Sequence, residues 1–272
     1  MNAIPSVILS STYSEDSIFQ KFLTGLPEAF EKGEGELLYD GRNKIRRFVL
    51  PSGLVAVVKA YKRPNAFQRL CYSTFWKNKA TKAFLYGEKL REMGIDTPEP
   101  MAAVTYRDKL GRVDRYYFVS AENDDPDCFG LNENSIDDAG NLIDDLMAFL
   151  IQMHEKGFLH GDTNLSNFLY KKDDGHYRFA VIDTNRSHFL GRPATKEEVC
   201  QNLSRLTHVR PLLTRLVASY ARQRGWNADE IEEKVLKLIV NREKKKKIKR
   251  KLNILKSATI IQYTIKGRFM SR

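Results

Sequence analysis

The residues that invite a chemical reading are His160, Gly161, Asp162 and Asn167, followed by Val181-Ile182-Asp183. Phosphoryl transfer from ATP needs a carboxylate that orients the acceptor hydroxyl and takes its proton. It also needs Mg2+ on the triphosphate, held by hard oxygen ligands. An Asp and an Asn five residues apart, on a loop between a helix and a short strand, can serve those two tasks: Asp162 as base and Asn167 as metal ligand. A second Asp at the tip of the following strand, Asp183, can bridge the metal. The apolar run Phe179 to Ile182 would bury that strand and project the carboxylate into a cleft. The bland alternative has Asp162 capping a turn and Asn167 satisfying loop backbone.

The N-terminal half offers the complement. Leu54 to Lys59 reads as an apolar strand whose lysine should face a cleft, where an ammonium beside ATP phosphates belongs. Lys62 competes with it, and a strand-end lysine can simply snorkel to water. Such a lysine calls for an acid on the next helix. Glu88 lies on the apolar side with Ala80, Ala83 and Gly87, and Glu92 is its rival one turn on. The loop over the phosphates should fall at 39–44, with Gly41 for backbone approach and Arg42 or Lys44 for charge. It has no G-x-G-x-x-G, and an ordinary hairpin turn is the competing reading.

These side chains need positioning elements. Residues 17–30 suggest a short helix, and residues 35–62 read as three strands with turns at 40–43 and 51–53. Asn78 to Met93 is helical and stops at Gly94, and Met101 to Val119 holds two more strands. Five strands and one helix make a small α+β lobe. After an acidic stretch, Asn141 to Lys156 is an amphipathic helix with Leu142, Leu146, Phe149, Leu150 and Met153 on one face. Phe168 to Tyr170 and Phe179 to Ile182 are short strands around the turn at 173–175, and from Thr195 the pattern is mostly helical. The organisation expected is a β-rich lobe over 1–120 and a helical lobe over 121–272, sharing a cleft.

The chain has 272 residues with 42% hydrophobic and 29% charged, the balance of a soluble globular protein, so wholesale disorder is excluded. No apolar run approaches the roughly 18 residues of a membrane span. The first residues lack a basic, apolar signal pattern, and Cys71, Cys128 and Cys200 suit neither a disulfide framework nor a metal site. A reducing cytoplasm is the expected compartment. The net charge is +11, and residues 242–251 hold eight basic residues and one acid. Such a run attracts polyanions, above all an anionic membrane surface, unless it is only a solvated helix end. Ile254, Leu255, Ala258, Ile261 and Ile265 beyond it approach a helical stripe, for a membrane surface or for the body. No nucleic-acid reader motif accompanies the basic run, so no specific nucleic-acid partner is expected.

With VVKAYK, KATKAFLYGEKLREMGIDTPEP, LHGDTNLSNFLY and VIDTNRSHF, the chain resembles the protein-kinase-like superfamily, and within it the lipopolysaccharide kinases of the Kdo/WaaP type. The resemblance runs from about Gly35 to about Leu206. It implies a bilobal α+β protein-kinase-like fold with the ATP cleft between the lobes. It also implies Mg2+ and ATP as cofactors and a Kdo or heptose hydroxyl of lipid A–core as acceptor, reached from the inner face of the inner membrane. By position, the family's base falls on Asp162, its metal ligands on Asn167 and Asp183, and its ATP lysine and helix glutamate on Lys59 and Glu88. His-Gly-Asp in place of His-Arg-Asp, and Asp-Thr-Asn in place of Asp-Phe-Gly, point away from activation-loop control and peptide substrates. Arg186 is a candidate for acceptor phosphate or carboxylate, against a structural ion pair. The alternatives are a small-molecule phosphotransferase of the aminoglycoside or choline kinase type and a nucleotide-binding pseudokinase.

Overall fold

The computed structural model describes residues 5–74, 76–135 and 139–269, with side chains up to residue 250 except those of Thr74 and Lys249. The N-terminal part contains β1 (Ser6–Leu9), α1 (Ser17–Lys32), β2 (Glu36–Asp40), β3 (Lys44–Val49), β4 (Val55–Ala60), α2 (Ala66–Thr74), α3 (Lys79–Glu92), β5 (Pro100–Arg107) and β6 (Val113–Ala121). Its six strands form one antiparallel sheet in the order β1-β5-β6-β4-β3-β2. Strand alternation sends Ala56 and Val58 to one face, where both are fully buried with Phe19, Leu23 and Leu26 of α1. The opposite face receives Val57, Lys59 and, just beyond the strand, Tyr61. There α3 packs through Ala80 and Phe84 against Tyr61, Ala103 and Tyr116. The sheet is thus a layer between two helices, and Lys59 is on the α3 side by period alone.

The sequence reading anticipated five strands and one principal helix here. The structure adds β1 and α2. β1 has four residues and is held as an edge strand by β5, in the register Ser6↔Thr105 to Leu9↔Ala102. A run that short carries little periodicity of its own, so long-range pairing decides it.

The C-terminal part contains α4 (Ala139–Glu155), β7 (Phe158–Leu159), β8 (Phe168–Asp173), β9 (His176–Val181), β10 (His188–Phe189), α5 (Lys196–Leu203), α6 (Arg210–Arg224) and α7 (Ala228–Phe269). The stripe on α4 is buried against α6 and the β8–β9 hairpin, with Leu142, Leu146, Leu150 and Met153 out of contact with water. The hairpin turns through Asp174 and Gly175, both at positive φ, the pairing a tight two-residue turn requires. Together the β-rich and helical parts make the bilobal α+β fold. The apolar positions from Ile254 to Ile265 continue the backbone of α7, but their side chains lie outside those described. Among the described residues, no helix is long and apolar enough to cross a membrane.

Two struts join the parts behind the cleft. Thr97 Oγ1 donates to Val181 O at 2.7 Å, and Val181 N donates to Asp96 O at 2.8 Å. Lys156 reaches back from the end of α4 to the carbonyls of Met93 and Gly94, at 2.5 and 3.1 Å. These carbonyls lie at the C-terminus of α3, where a cation is favoured.

Candidate active site

The loop that follows β7 is built around a buried imidazole. His160 accepts a hydrogen bond at Nδ1 from Asp162 N (3.1 Å) and donates from Nε2 to Ile182 O (2.9 Å), which fixes its tautomer. Burial lowers its pKa, so the ring stays neutral. Thr163 Oγ1 and Asn202 Nδ2 both donate to His160 O, at 3.0 and 2.8 Å. Gly161 is dictated by space: a Cβ there would lie 2.1 Å from Arg186 O. That contact is the structural reason for His-Gly-Asp, since any side chain would push the two loops apart.

Asp162 emerges from this frame with its side chain 48% exposed, and Arg186 Nη1 stands 3.4 Å from its Oδ2. Asn167 ends the short helical turn Leu165–Asn167, donates from Nδ2 to Asp162 O (2.8 Å) and accepts Ile182 N at its own carbonyl (3.0 Å). The loop is therefore hydrogen-bonded to the strand tip that carries Asp183. Asp183 adopts φ +55°, a conformation unfavourable for a side chain with a Cβ. Its Oδ1 accepts from Lys59 Nζ at 2.9 Å and from Asn185 Nδ2 at 2.5 Å. Burial pushes the Asp183 carboxyl up, but the Lys59 ammonium outweighs it and the net shift is downward.

The structure thus joins Lys59 to Asp183, and Asp162 to Asn167 and Arg186, with the two groups linked through the Asn167–Ile182 backbone hydrogen bond. A cavity of about 350 Å3 lies between the lobes, with Leu38, Val57, Phe118 and Leu169 among its apolar walls and Lys59 and Asp183 at one end. Glu122 sits at the other end, anchored by a two-pronged contact from Arg47, whose Nε and Nη2 lie 2.5 and 3.1 Å from its oxygens. A larger groove of about 670 Å3 runs beside α1, but it is lined by Phe22, Ala29, Phe48 and Leu50 and holds none of these groups.

Glu88 is not brought to Lys59: no ion pair within 4.0 Å joins them among the described residues. Helical periodicity gives the reason. Ala83 and Gly87 line the cavity, and Glu88 stands about 100° further round α3. Lys59 takes Asp183 as its acid instead. Gly41 and Arg42 stand at the tip of the β2–β3 hairpin, outside the cavity lining.

Three participants escaped the sequence reading. Lys79, at the start of α3, has its pKa lowered by burial and then by the charges of Arg42 and Arg186, with Lys59 adding to the effect and Asp183 opposing it. Tyr61 is buried with a hydroxyl that makes no hydrogen bond. Its pKa is raised by that burial and by Asp183. Arg205 Nη1 donates to Gly161 O at 2.8 Å and supports the loop from α5's far end. Only Tyr61 had a sequence signal, since it alternates with Lys59.

The donor set suits Mg2+. Among the described residues, Asn167 Oδ1 and Asp183 Oδ2 accept no hydrogen bond, leaving two hard oxygen atoms for a cation. No cluster of three His, Cys, Asp or Glu side chains that could hold a metal occurs among those residues. Two protein oxygens are enough for an ion that takes its remaining ligands from phosphates and water.

The β-rich and helical lobes with the cavity between them make a fold of the protein-kinase-like class. Within that class, residues 135–229 match the profile of the Lipopolysaccharide kinase (Kdo/WaaP) family, so the chain carries that family's pattern where the loop and strand tip lie. Among solved structures the chain is similar to WaaP in complex with acyl carrier protein, at 17% identity over 88% of this chain and 98% of that one, with a TM-score of 0.52. It also matches the Rio2 kinase–ADP/Mg2+–phosphoaspartate complex from Chaetomium thermophilum, at 15% identity over 89% and 82% of the chains and a TM-score of 0.47. A third match is amicoumacin kinase hAmiN with AMP-PNP, Ca2+ and Ami, at 11% identity over 75% and 79% and a TM-score of 0.48. No curated protein sequence matches the chain at a significant level.

Proposed function

We propose that the protein is a Mg2+- and ATP-dependent kinase that phosphorylates a sugar hydroxyl, Kdo or heptose, of the lipopolysaccharide inner core. The observation that supports this reading is the Lys59–Asp183 pair on the wall of an inter-lobe cavity, with the loop of Asp162 and Asn167 hydrogen-bonded to the strand tip before Asp183 and lying in the segment that matches the lipopolysaccharide kinase family. The apolar walls suit a purine, and the polar end suits phosphates.

Asn167 and Asp183 would hold Mg2+, which would supply Lewis-acid stabilisation of charge on the transferring phosphoryl group. Asp162 orients the acceptor hydroxyl and takes its proton at a carboxylate oxygen as the new P–O bond forms and the bond from the γ-phosphorus to the ADP oxygen breaks, releasing ADP. Lys59, now paired with Asp183, turns to the non-transferring phosphates, and Lys79 and Arg42 add positive charge at the mouth. Arg186, at 3.4 Å from Asp162, holds the carboxylate in place and is available to an anionic group on the acceptor. Catalysis is then mostly positioning and charge stabilisation. Among partners, the glycolipid acceptor comes first, and the basic run 242–251 lies against an anionic membrane on the cytoplasmic side.

Asp162→Asn is expected to lower transfer by about 10²-fold or more while nucleotide affinity stays within about twofold of the parent. The assay is transfer of labelled phosphate to lipid A–core, with mass spectrometry reading the gain of one phosphate. Near-parental transfer by Asp162→Asn would remove the base from the mechanism and the reading with it.

A further inference from the structure

The connection between β4 and α3 is longer than a strand-to-helix link needs, and the extra chain folds into α2. Its inner side is fastened to the sheet. Arg69 donates to Val113 O (3.2 Å) and pairs with Asp108 (2.7 Å) and Asp114 (3.1 Å). Ser73 Oγ accepts from Val113 N (2.9 Å), and the Tyr72 ring meets Tyr116 edge-on at 5.9 Å. With that side fixed, helical spacing turns Phe67 and Leu70 outward, where they are 68% and 58% exposed. Trp76, just past the helix, is 56% exposed and meets the Phe67 ring edge-on at 6.3 Å.

Along the chain the charge around this apolar cluster has one sign, and the acids that meet it, Asp108 and Asp114, come from β6 and the turn before it. From Gly41 to Gly87 the chain contains eleven Lys and Arg and no Asp or Glu. Lys62 and Lys77, which flank α2, are exposed, as is Arg63, whose guanidinium also pairs with Asp114. Exposed Trp, Phe and Leu flanked by cations form the pattern of a segment that lies in a bilayer interface, rings among the headgroups and ammonium groups on lipid phosphates. Asn78 locks the end of this segment to the body: its Oδ1 accepts from Thr81 N (3.0 Å) and its Nδ2 donates to Thr105 Oγ1 (2.8 Å). Only Lys77 and Asn78 then separate Trp76 from Lys79 at the start of α3, about 10 Å of extended chain.

We propose that α2 and Trp76 form a membrane-docking face that seats Phe67, Leu70 and Trp76 in the headgroup region of an anionic bilayer, with Lys62, Arg63 and Lys77 against its phosphates. The face holds the cleft mouth at the lipid surface. Its service in presenting a glycolipid rests on the kinase reading, whereas bilayer binding itself does not.

The full chain is tested on vesicles of phosphatidylcholine mixed with phosphatidylglycerol, against phosphatidylcholine alone. The chain has two tryptophans, so Trp226→Phe leaves Trp76 as the sole reporter. Its emission is expected to shift to the blue on the mixed vesicles and to be quenched by acyl-brominated lipid. Phe67→Ser combined with Trp76→Ser should weaken vesicle binding by about tenfold or more with an unchanged melting temperature, since both side chains are exposed. Lys62→Gln and Lys77→Gln should each weaken it by about fivefold. Parental affinity in the double serine variant, or Trp76 emission unmoved on vesicles that bind, overturns the proposal. So does loss of self-association in that variant with vesicle binding intact, because the face would then serve a second copy of the chain. Failure of Asp162→Asn to slow transfer would remove the kinase reading and leave these vesicle measurements standing.

Discussion

At the scale of single residues, the site depends on where side chains are absent as much as on those present. Gly161 lets the loop with Asp162 touch the backbone of Arg186, three residues past Asp183. Gly161→Ala should therefore force both strands of backbone apart. We expect a loss of about 1–3 kcal/mol in stability and a clear fall in transfer rate, read by urea unfolding and turnover. Gly140→Ala is the control, since its new methyl meets nothing within 4 Å in α4 and should leave stability equal or raised by about 0.5–1 kcal/mol. Equal behaviour of the two variants would mean that the close approach does not constrain the loop. The Lys59–Asp183 pair works alongside this contact. It draws the lobes together across the cleft and holds Asp183 ionised, the state that the proposed metal-binding role requires.

At the scale of elements, three helices support the loop through one buried polar chain. Tyr220 of α6 meets His154 Nδ1 (2.8 Å), His154 Nε2 of α4 meets Asn202 Oδ1 (3.1 Å), and Asn202 of α5 donates to His160 O. Burial pushes the His154 pKa down from 6.5 to about 4, so the folded protein holds the ring neutral where the unfolded chain would protonate it. The unfolded state then binds more protons between pH 6.5 and about 4, and stability falls as pH drops through that window, by up to roughly 3 kcal/mol for this group. His154→Gln should be less stable at pH 7 yet show a shallower loss between pH 7 and 4, measured as urea midpoints. A slope as steep as the parent's would assign the pH dependence elsewhere. The elements themselves were legible where periodicity is long. α1, α3, α4 and the β8–β9 hairpin follow from spacing and turn residues, and Lys59 and Asp183 meet as strand alternation and a strand tip suggest. β1 and α2 were not legible, because a four-residue strand and a nine-residue helix with mixed faces are decided by their sheet partners. The Lys59–Glu88 pairing failed for a similar reason. Both glutamates on α3 read as reachable, but small residues, Ala83 and Gly87, are what the helix turns to the cleft.

At the scale of the whole molecule, charge is segregated. One basic block runs from Gly41 to Gly87 and another fills 242–251, while Ala121 to Asp145 carries nine acids and no Lys or Arg. The second block begins on a fixed point: Arg242 donates to Ser204 O (2.6 Å) and Ser204 Oγ (3.2 Å). The last side chain in the C-terminal core is Val235 among the described residues. A chain ending at Glu243 keeps that anchor and every core side chain among the described residues, so its melting temperature and its turnover of a soluble acceptor should match the parent. Its affinity for phosphatidylglycerol vesicles should fall by about tenfold or more at low salt, because each Lys or Arg near an anionic surface contributes about a kcal/mol. That loss should shrink as salt rises, since the Debye length is about 10 Å at 0.1 M and exposed charges are screened beyond it. The apolar part of the α2 face behaves differently, because burial of Phe67 and Trp76 in lipid is insensitive to screening, whereas the share of Lys62 and Lys77 is screened. Combining the truncation with Phe67→Ser and Trp76→Ser should abolish vesicle binding at every salt concentration. Vesicle binding that survives the combined variant would place the membrane contact on a third surface.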